Sequence, residues 1–177
     1  NEKIKSFKNT NNTQSNPSSI KRAAKLISNS SKGIIIVGGG IKYTSGFKPV
    51  IELAEYLNVP IVTAAGHGDA IPFNHKLNAG QMGPRGNPVA TKLTKEADII
   101  LAIGTRLGFN STFYSFENIN KKAKIIQVEL EKKMLGKYFP IKIGINADAA
   151  TTANQLLREF KKQKIKSEIK IWTEKFK

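Results

Sequence analysis

The sequence has no cysteine, one tryptophan, two methionines and two histidines, and sets only 13 acidic residues against 29 basic ones. Without cysteine there is no disulfide framework, thiolate metal site or thiol nucleophile, and the composition fits a reducing, cytoplasmic setting. No run approaches the roughly 18 consecutive apolar residues of a membrane span, so no membrane partner is expected. No apolar signal core follows Asn1, and the chain reads as a fragment.

The shortage of acids leaves a formal net charge of +16, the balance of a nucleic-acid binder. Its distribution argues otherwise. Lys3, Lys5 and Lys8 stand at one end, and Lys161, Lys162, Lys164, Lys166, Lys170, Lys175 and Lys177 at the other. No aromatic nucleic-acid motif or recognition helix interrupts these runs. They read as solvated linkers, and no nucleic-acid partner is expected.

With 177 residues and 40% hydrophobic content, the chain can bury one sizeable core. Residues 1–17, polar and without periodicity, are expected to be a linker. Ile20, Ala23, Ala24 and Ile27 then share one helical face behind the cap candidates Ser18 and Ser19. The β-branched run Ile34 to Val37, bounded by Gly33 and by Gly38, Gly39 and Gly40, predicts a strand buried on both faces. A helix through Val50, Leu53, Ala54 and Leu57 follows. Further strands are expected at Ile61-Val62, Ile99 to Ile103, Ile125 to Val128 and, more weakly, Ile141 to Ile145. Asn87-Pro88 caps a helix carrying Val89 and Leu93. The last helix starts near Asp148 and buries Ala149, Ala153, Leu156, Leu157 and Phe160. Such alternation implies an α/β fold, a Rossmann-like parallel sheet with helices on both faces, over residues 18–160. From Lys161 the pattern dissolves into charge, with Ile165, Ile169, Ile171, Trp172 and Phe176 as anchors of an exit linker over residues 161–177.

Ligands of open α/β sheets sit beyond the carboxyl ends of the strands, which directs attention to the residues after each run. Gly38, Gly39 and Gly40 leave the backbone open to a phosphate, or simply form a tight turn. A dinucleotide fingerprint would need a third glycine where Tyr43 stands. After the run ending at Ile103, Gly104 and Arg106 can present a guanidinium to a diphosphate or carboxylate. Glu129 and Asp148 could accept bonds from a ribose or adenine; equally, Glu129 could be a solvated strand end and Asp148 a helix cap. The connection from Ala64 to Gly86 carries His67, Asp69, His75 and Arg85, and loops of that length usually serve a purpose. His67, Asp69 and His75 have no established metal spacing, so no metal is expected. Without a G-x-S-x-G elbow, a serine hydrolase is disfavoured.

The segments VGGG, NVPIVTAA, AIPFNHKLNAGQMGPRGN, EADIILAIGTRLG, AKIIQVELE and IKIGINADA, in that order, resemble the central domain of thiamine-diphosphate-dependent enzymes of the acetolactate synthase superfamily. The resemblance implies two further domains, N- and C-terminal, that hold thiamine diphosphate and Mg2+. Gly68-Asp69-Ala70 is no equivalent of the family's magnesium motif, so no catalytic residue is expected in this chain. By the same resemblance Gly38, Gly39, Gly40, Gly104, Arg106, Glu129 and Asp148 are candidate contacts to FAD or ADP. His67, Asp69 and Asn110 are candidates on the substrate side. Acetolactate synthases carry Phe-Asp-Asp-Arg after the Gly-x-Arg turn, where this chain has Leu107-Gly108-Phe109-Asn110. That departure and the His67-Asp69 loop lean toward the sulfoacetaldehyde acetyltransferase branch, with acetolactate synthase or another 2-oxoacid carboligase as the alternative. A homodimer or homotetramer acting on a small molecule is implied, and a stand-alone nucleotide-binding module is the rival class.

Overall fold

In the computed structural model, residues 14–44 and 47–164 are described. The terminal lysine runs at 1–13 and 165–177, and the proposed anchors Ile165 to Phe176, lie outside them. Six strands, β1 (Gly33–Val37), β2 (Ile61–Thr63), β3 (Asn78–Gln81), β4 (Ile99–Ile103), β5 (Lys124–Val128) and β6 (Ile143–Ile145), form one sheet. Every pairing is parallel, and the order is β3-β2-β1-β4-β5-β6. All five residues of both β1 and β4 are buried, which is why their sequences are continuous apolar runs without alternation.

Among the described residues, five α-helices accompany the sheet: α1 (Pro17–Ser28), α2 (Phe47–Leu57), α3 (Pro88–Glu96), the single turn α4 (Phe109–Thr112) and α5 (Ala149–Lys162). The chain winds from β1 outward to β3, returns through α3 to β4, and winds outward again to β6. Right-handed crossovers in opposite directions set α2 and α3 on opposite faces of the sheet. Helices α1 and α2 both pack on α5. Its buried stripe is Ala149, Thr152, Ala153, Leu156, Leu157 and Phe160, which covers the sheet and the inner faces of both neighbours.

Three local expectations change. Helix α1 is capped by Asn16, whose Oδ1 accepts the Ser18 N–H at 2.9 Å, with Pro17 in the first turn. Neither Ser18 nor Ser19 is the cap, because Asn-Pro is the stronger start signal, as at Asn87-Pro88. The polar stretch preceding it is already anchored: Ser15 is buried, its Oγ 2.8 Å from Thr152 Oγ1 on α5. The connection from Ala64 to Gly86 is also not structureless. It contains a 3-10 turn at Gly68–Ala70 and the edge strand β3, whose Asn78-Ala79-Gly80-Gln81 has poor strand propensity. Its strand conformation comes from pairing with β2, continued beyond the strand ends by Ile61 N–H to Leu77 C=O (2.7 Å) and Met82 N–H to Thr63 C=O (2.8 Å).

The turns leaving β1 and β4 are locked together. Gly38 N–H donates to Ile103 C=O at 3.2 Å and Gly40 N–H to Gly104 C=O at 2.9 Å. A methyl group on Gly40 would stand 2.7 Å from Gly104 Cα, and one on Gly38 would stand 2.6 Å from Gly104 oxygen. Only glycine permits that approach. Gly40→Ala should therefore destabilise the chain by about 1–3 kcal/mol through overpacking. Gly108→Ala, where a methyl group meets nothing within 4 Å, should stay within about 0.5 kcal/mol. Urea denaturation of the two variants checks this, and equal stabilities would refute the interlock.

Candidate functional site

Strand order reverses between β1 and β4, so the connections leaving them diverge and open a crevice at the carboxyl edge of the sheet. The crevice holds about 570 Å³, within the roughly 300–1,000 Å³ of small-molecule sites. Its floor is the interlocked pair of glycine turns. The glycines owe their lack of side chains to protein rather than ligand: Gly38 and Gly40 meet the Gly104 turn, and a methyl on Gly39 would meet His67 Cε1 at 2.8 Å. They still line the crevice through their backbone.

Arg106 is aimed by its neighbours. Gln127, buried on β5, donates from Nε2 to Thr105 C=O at 3.2 Å and accepts the Gly136 N–H at Oε1 at 2.8 Å. Thr105 Oγ1 accepts the Leu107 N–H at 3.2 Å, and Leu107 is buried at φ +51°. With both flanking residues turned inward, Arg106 is left exposed in the crevice wall. Among the described residues no carboxylate lies within ion-pairing distance of it. An unpaired guanidinium in a concave site is a receptor for phosphate or carboxylate.

Glu129 and Glu131 also line the crevice. Glu129 Oε1 accepts the Leu130 N–H at 2.9 Å, and Glu131 pairs with Lys133 at 2.6 Å. Phe109, Tyr114 and Tyr138 complete this side; the two tyrosine rings stack at 4.4 Å between centroids. The hydrogen bond between them pushes the Tyr114 hydroxyl above the usual tyrosine range and holds Tyr138 below it. None of these three aromatics was singled out from sequence. The cluster Phe109-Asn110-Ser111-Thr112-Phe113-Tyr114 was visible as aromatic density, but only its packing beside β4 gives it a position.

His67 also lines the crevice, with Nδ1 buried and without a hydrogen-bond partner among the described residues. Burial lowers its pKa and the charge of Lys42 lowers it further, against a smaller raising effect from Asp69. Asp69 itself points away from the crevice wall to hydrogen-bond Lys42, which holds its carboxyl below the usual range. His75 is remote from His67 in role: its Nε2 faces Glu55 on α2 at 3.5 Å. Asp148 is buried and accepts the Thr151 N–H at 2.7 Å as the cap of α5, outside the crevice wall. The structure therefore gathers Gly38, Gly39, Gly40, His67, Gly104, Arg106, Asn110 and Glu129 around one crevice and leaves Asp69 and Asp148 beside it.

This is a doubly wound α/β domain with a crevice at its switch point. Residues 20–156 match the family described as thiamine pyrophosphate enzyme, central domain, and the chain belongs to that family. It is 36% identical over 149 residues to the sulfoacetaldehyde acetyltransferase of Castellaniella defragrans, covering 83% of this chain and 25% of that one. With the sulfoacetaldehyde acetyltransferase of Roseovarius nubinhibens it shares 37% over 137 residues, covering 76% and 23%. With a probable acetolactate synthase large subunit of Methanocaldococcus jannaschii it shares 31% over 145 residues, covering 82% and 24%. The chain thus spans about a quarter of the length of these curated relatives.

The His67 environment makes a pH prediction. Because the folded state resists protonating it, the unfolded chain takes up the proton first as pH falls below the ordinary histidine value of about 6.5. Its contribution to stability should be complete above about pH 6.5 and decline as pH drops toward the depressed native value. Thermal melts between about pH 7.5 and 5 should show that slope in the native sequence and a shallower one in His67→Asn. Identical slopes would mean that His67 titrates normally.

Proposed function

We propose that this chain is the central domain of a thiamine-diphosphate-dependent transferase of the sulfoacetaldehyde acetyltransferase type. Its crevice takes the adenosine diphosphate portion of ADP or FAD as a structural ligand. The observation that carries the proposal is the unpaired Arg106 in a crevice that also offers carboxylates and aromatic faces. The guanidinium suits a diphosphate, Glu129 and Glu131 can accept hydrogen bonds from ribose hydroxyls, and Tyr114 or Tyr138 can stack on a flat base. The glycine floor keeps the backbone accessible beneath. These parts fit a nucleotide, so Arg106 would hold the diphosphate and the carboxylates would orient the sugar.

Thiamine diphosphate, which the family implies, would supply the carbanion chemistry in the whole enzyme. Among the described residues no group of three or more His, Cys, Asp or Glu could hold its metal ion. Flanking domains of the same polypeptide are proposed to carry that cofactor and Mg2+ and to supply all catalytic residues. A homodimeric or homotetrameric cytoplasmic enzyme belongs to the same proposal. Similarity to the acetolactate synthase subunit supports that synthase as the second reading.

Two experiments test these statements. Titrating ADP and FAD into the chain should give binding that Arg106→Gln weakens by about tenfold or more, the loss expected of a charge-assisted hydrogen bond. Equal binding by the variant would remove Arg106 from the site. For the substrate, the full-length enzyme should form acetyl phosphate and sulfite from sulfoacetaldehyde and phosphate, and little acetolactate from pyruvate. The motive is Asn110, a neutral amide where the synthases place an arginine for the acceptor carboxylate. Efficient acetolactate formation without sulfite release would return the chain to the synthase branch.

A further inference from the structure

The described residues offer few groups to an oxidant. The chain has no cysteine, its methionines Met82 and Met134 are both buried, and Trp172 lies outside the described residues. The phenols remain, and all four tyrosines, Tyr43, Tyr56, Tyr114 and Tyr138, are described. Tyr43 is 88% exposed and has no ring contact among the described residues, and Tyr56 faces Phe160. Only Tyr114 and Tyr138 bring two phenols together. Their rings stack with centroids 4.4 Å apart and planes inclined by 24°, and their hydroxyls are hydrogen-bonded.

The pair is held in place from both sides. Phe113 and Tyr114 are consecutive left-handed residues, at φ +51° and +54°, a conformation that residues with side chains rarely adopt. Thr112 keeps them there: its Oγ1 accepts the Tyr114 N–H at 3.1 Å and donates to Leu107 C=O at 3.0 Å, while its C=O accepts from Asn118 Nδ2 at 3.2 Å. On the other side, the loop after β5 is anchored by the Gly136 N–H to Gln127 bond and by buried Phe139, which meets Phe116 edge-on at 5.4 Å. Two ring contacts, Tyr114 with Tyr138 and Phe116 with Phe139, thus lay the two segments side by side. Tyr114 is 48% exposed, so a small oxidant reaches the pair. The hydrogen bond between the hydroxyls holds Tyr138 below the usual tyrosine range, with help from the Lys137 and Arg106 charges, and raises Tyr114. Tyr138 is therefore the acceptor, and its phenol lies nearer the readily oxidised phenolate.

We propose that Tyr114 and Tyr138 form an oxidative crosslinking site, at which a diffusible one-electron oxidant makes a dityrosine within one chain. Each phenol gives up one electron and its hydroxyl proton, and the two phenoxyl radicals join through ring carbons adjacent to their oxygens. Those carbons then release their hydrogens as protons, and both oxygens regain one. In sum, two ring C–H bonds break, one C–C bond forms, two electrons pass to two equivalents of oxidant and two protons reach solvent. Radicals fixed side by side on one frame couple faster than radicals on separate molecules, because no diffusional encounter is needed. The product is a covalent strut in the crevice wall between the exit of α4 and the loop after β5. The inference stands on the geometry of the pair and does not require a nucleotide in the crevice.

Photolysed tris(bipyridine)ruthenium(II) with persulfate supplies the oxidant for a test on the dilute 177-residue chain. The expected product is a monomer with dityrosine fluorescence, a mass lower by two hydrogens and a linked peptide pair carrying Tyr114 and Tyr138. At high concentration the exposed Tyr43 should link separate molecules, which reports that the oxidant is active. Tyr114→Phe and Tyr138→Phe should each abolish the intrachain product, whereas Tyr43→Phe and Tyr56→Phe should keep it. Unfolding the native sequence in urea before oxidation should lower the intrachain yield by about tenfold or more, because the fixed geometry is lost. The proposal is overturned if the folded monomer gives no linked peptide pair, if the product survives in either of the first two variants, or if the unfolded chain forms it in equal yield. ADP separates the two readings: undiminished ADP binding by the crosslinked chain refutes the tyrosines as a platform for the base and leaves the crosslinking site standing.

Discussion

The turns that leave the two halves of the sheet meet backbone on backbone, where Gly40 N–H donates to Gly104 C=O at 2.9 Å. Everything at the functional edge is referred to that point. It brings the turns after β1 and β4 together at the place where the chain reverses its winding direction, so the crevice has a rigid floor instead of two independent loops. No side chain intervenes, and the relative position of the turns cannot drift with rotamer choice. Arg106 stands two residues from this contact and Gly39, under the His67 ring, one residue from it. A glycine at each position is thus a packing requirement first, and any openness to a ligand follows from it.

Around that floor the fold sorts charge more finely than composition suggests. A chain of net charge +16 nevertheless places two carboxylates in its main crevice and binds up several of its lysines in local pairs, among them Lys42 with Asp69 and Lys133 with Glu131. Among the described residues, two arginines in concave positions are left without such partners. Arg106 and Arg85 occupy adjoining hollows on one edge, separated by the short α4 turn and the residues it holds. Arginine suits these positions because its planar fork can bind an oxyanion through two parallel hydrogen bonds, which lysine cannot. The α4 turn matters for the same reason. Its Asn110 lines both hollows and Ser111 ties it to the end of β2, so a four-residue helix divides two different electrostatic environments.

Buried polar groups do the positioning. Gln127 lies in the middle of an apolar strand and is satisfied at both ends, by Thr105 C=O and Gly136 N–H. Fully satisfied, it links the loop after β5 to the turn that presents Arg106, at little of the cost that an unpaired amide would carry there. His67 is the contrasting case, a ring packed on Gly39 with one nitrogen buried and unpartnered. The structure accommodates it by disfavouring its charged form, through burial first and the nearby Lys42 charge second.

The sequence by itself determined the class of fold and the strands and helices that carry their own signal. Ile34 to Val37 and Ile99 to Ile103 read as buried parallel strands because both faces need apolar side chains, and Asn87-Pro88 read as a helix start because the cap chemistry is local. Motif order likewise points to the family. The rest was not local. Asn78 to Gln81 has no strand propensity and becomes β3 only because β2 offers it a ladder of hydrogen bonds. Glu129, after a strand, and Asp148, near a helix start, each admit a ligand-facing and a local reading in the sequence; the fold spends Asp148 on capping α5 and puts Glu129 in the crevice wall. The tyrosine pair Tyr114 and Tyr138, 24 residues apart, meets only after β5 and its following loop bring the two together. Side-chain period and capping are written in neighbouring residues, whereas which turns touch, and which arginines are left unpaired in a hollow, depends on contacts between segments far apart in the chain. Only the tertiary structure decides those.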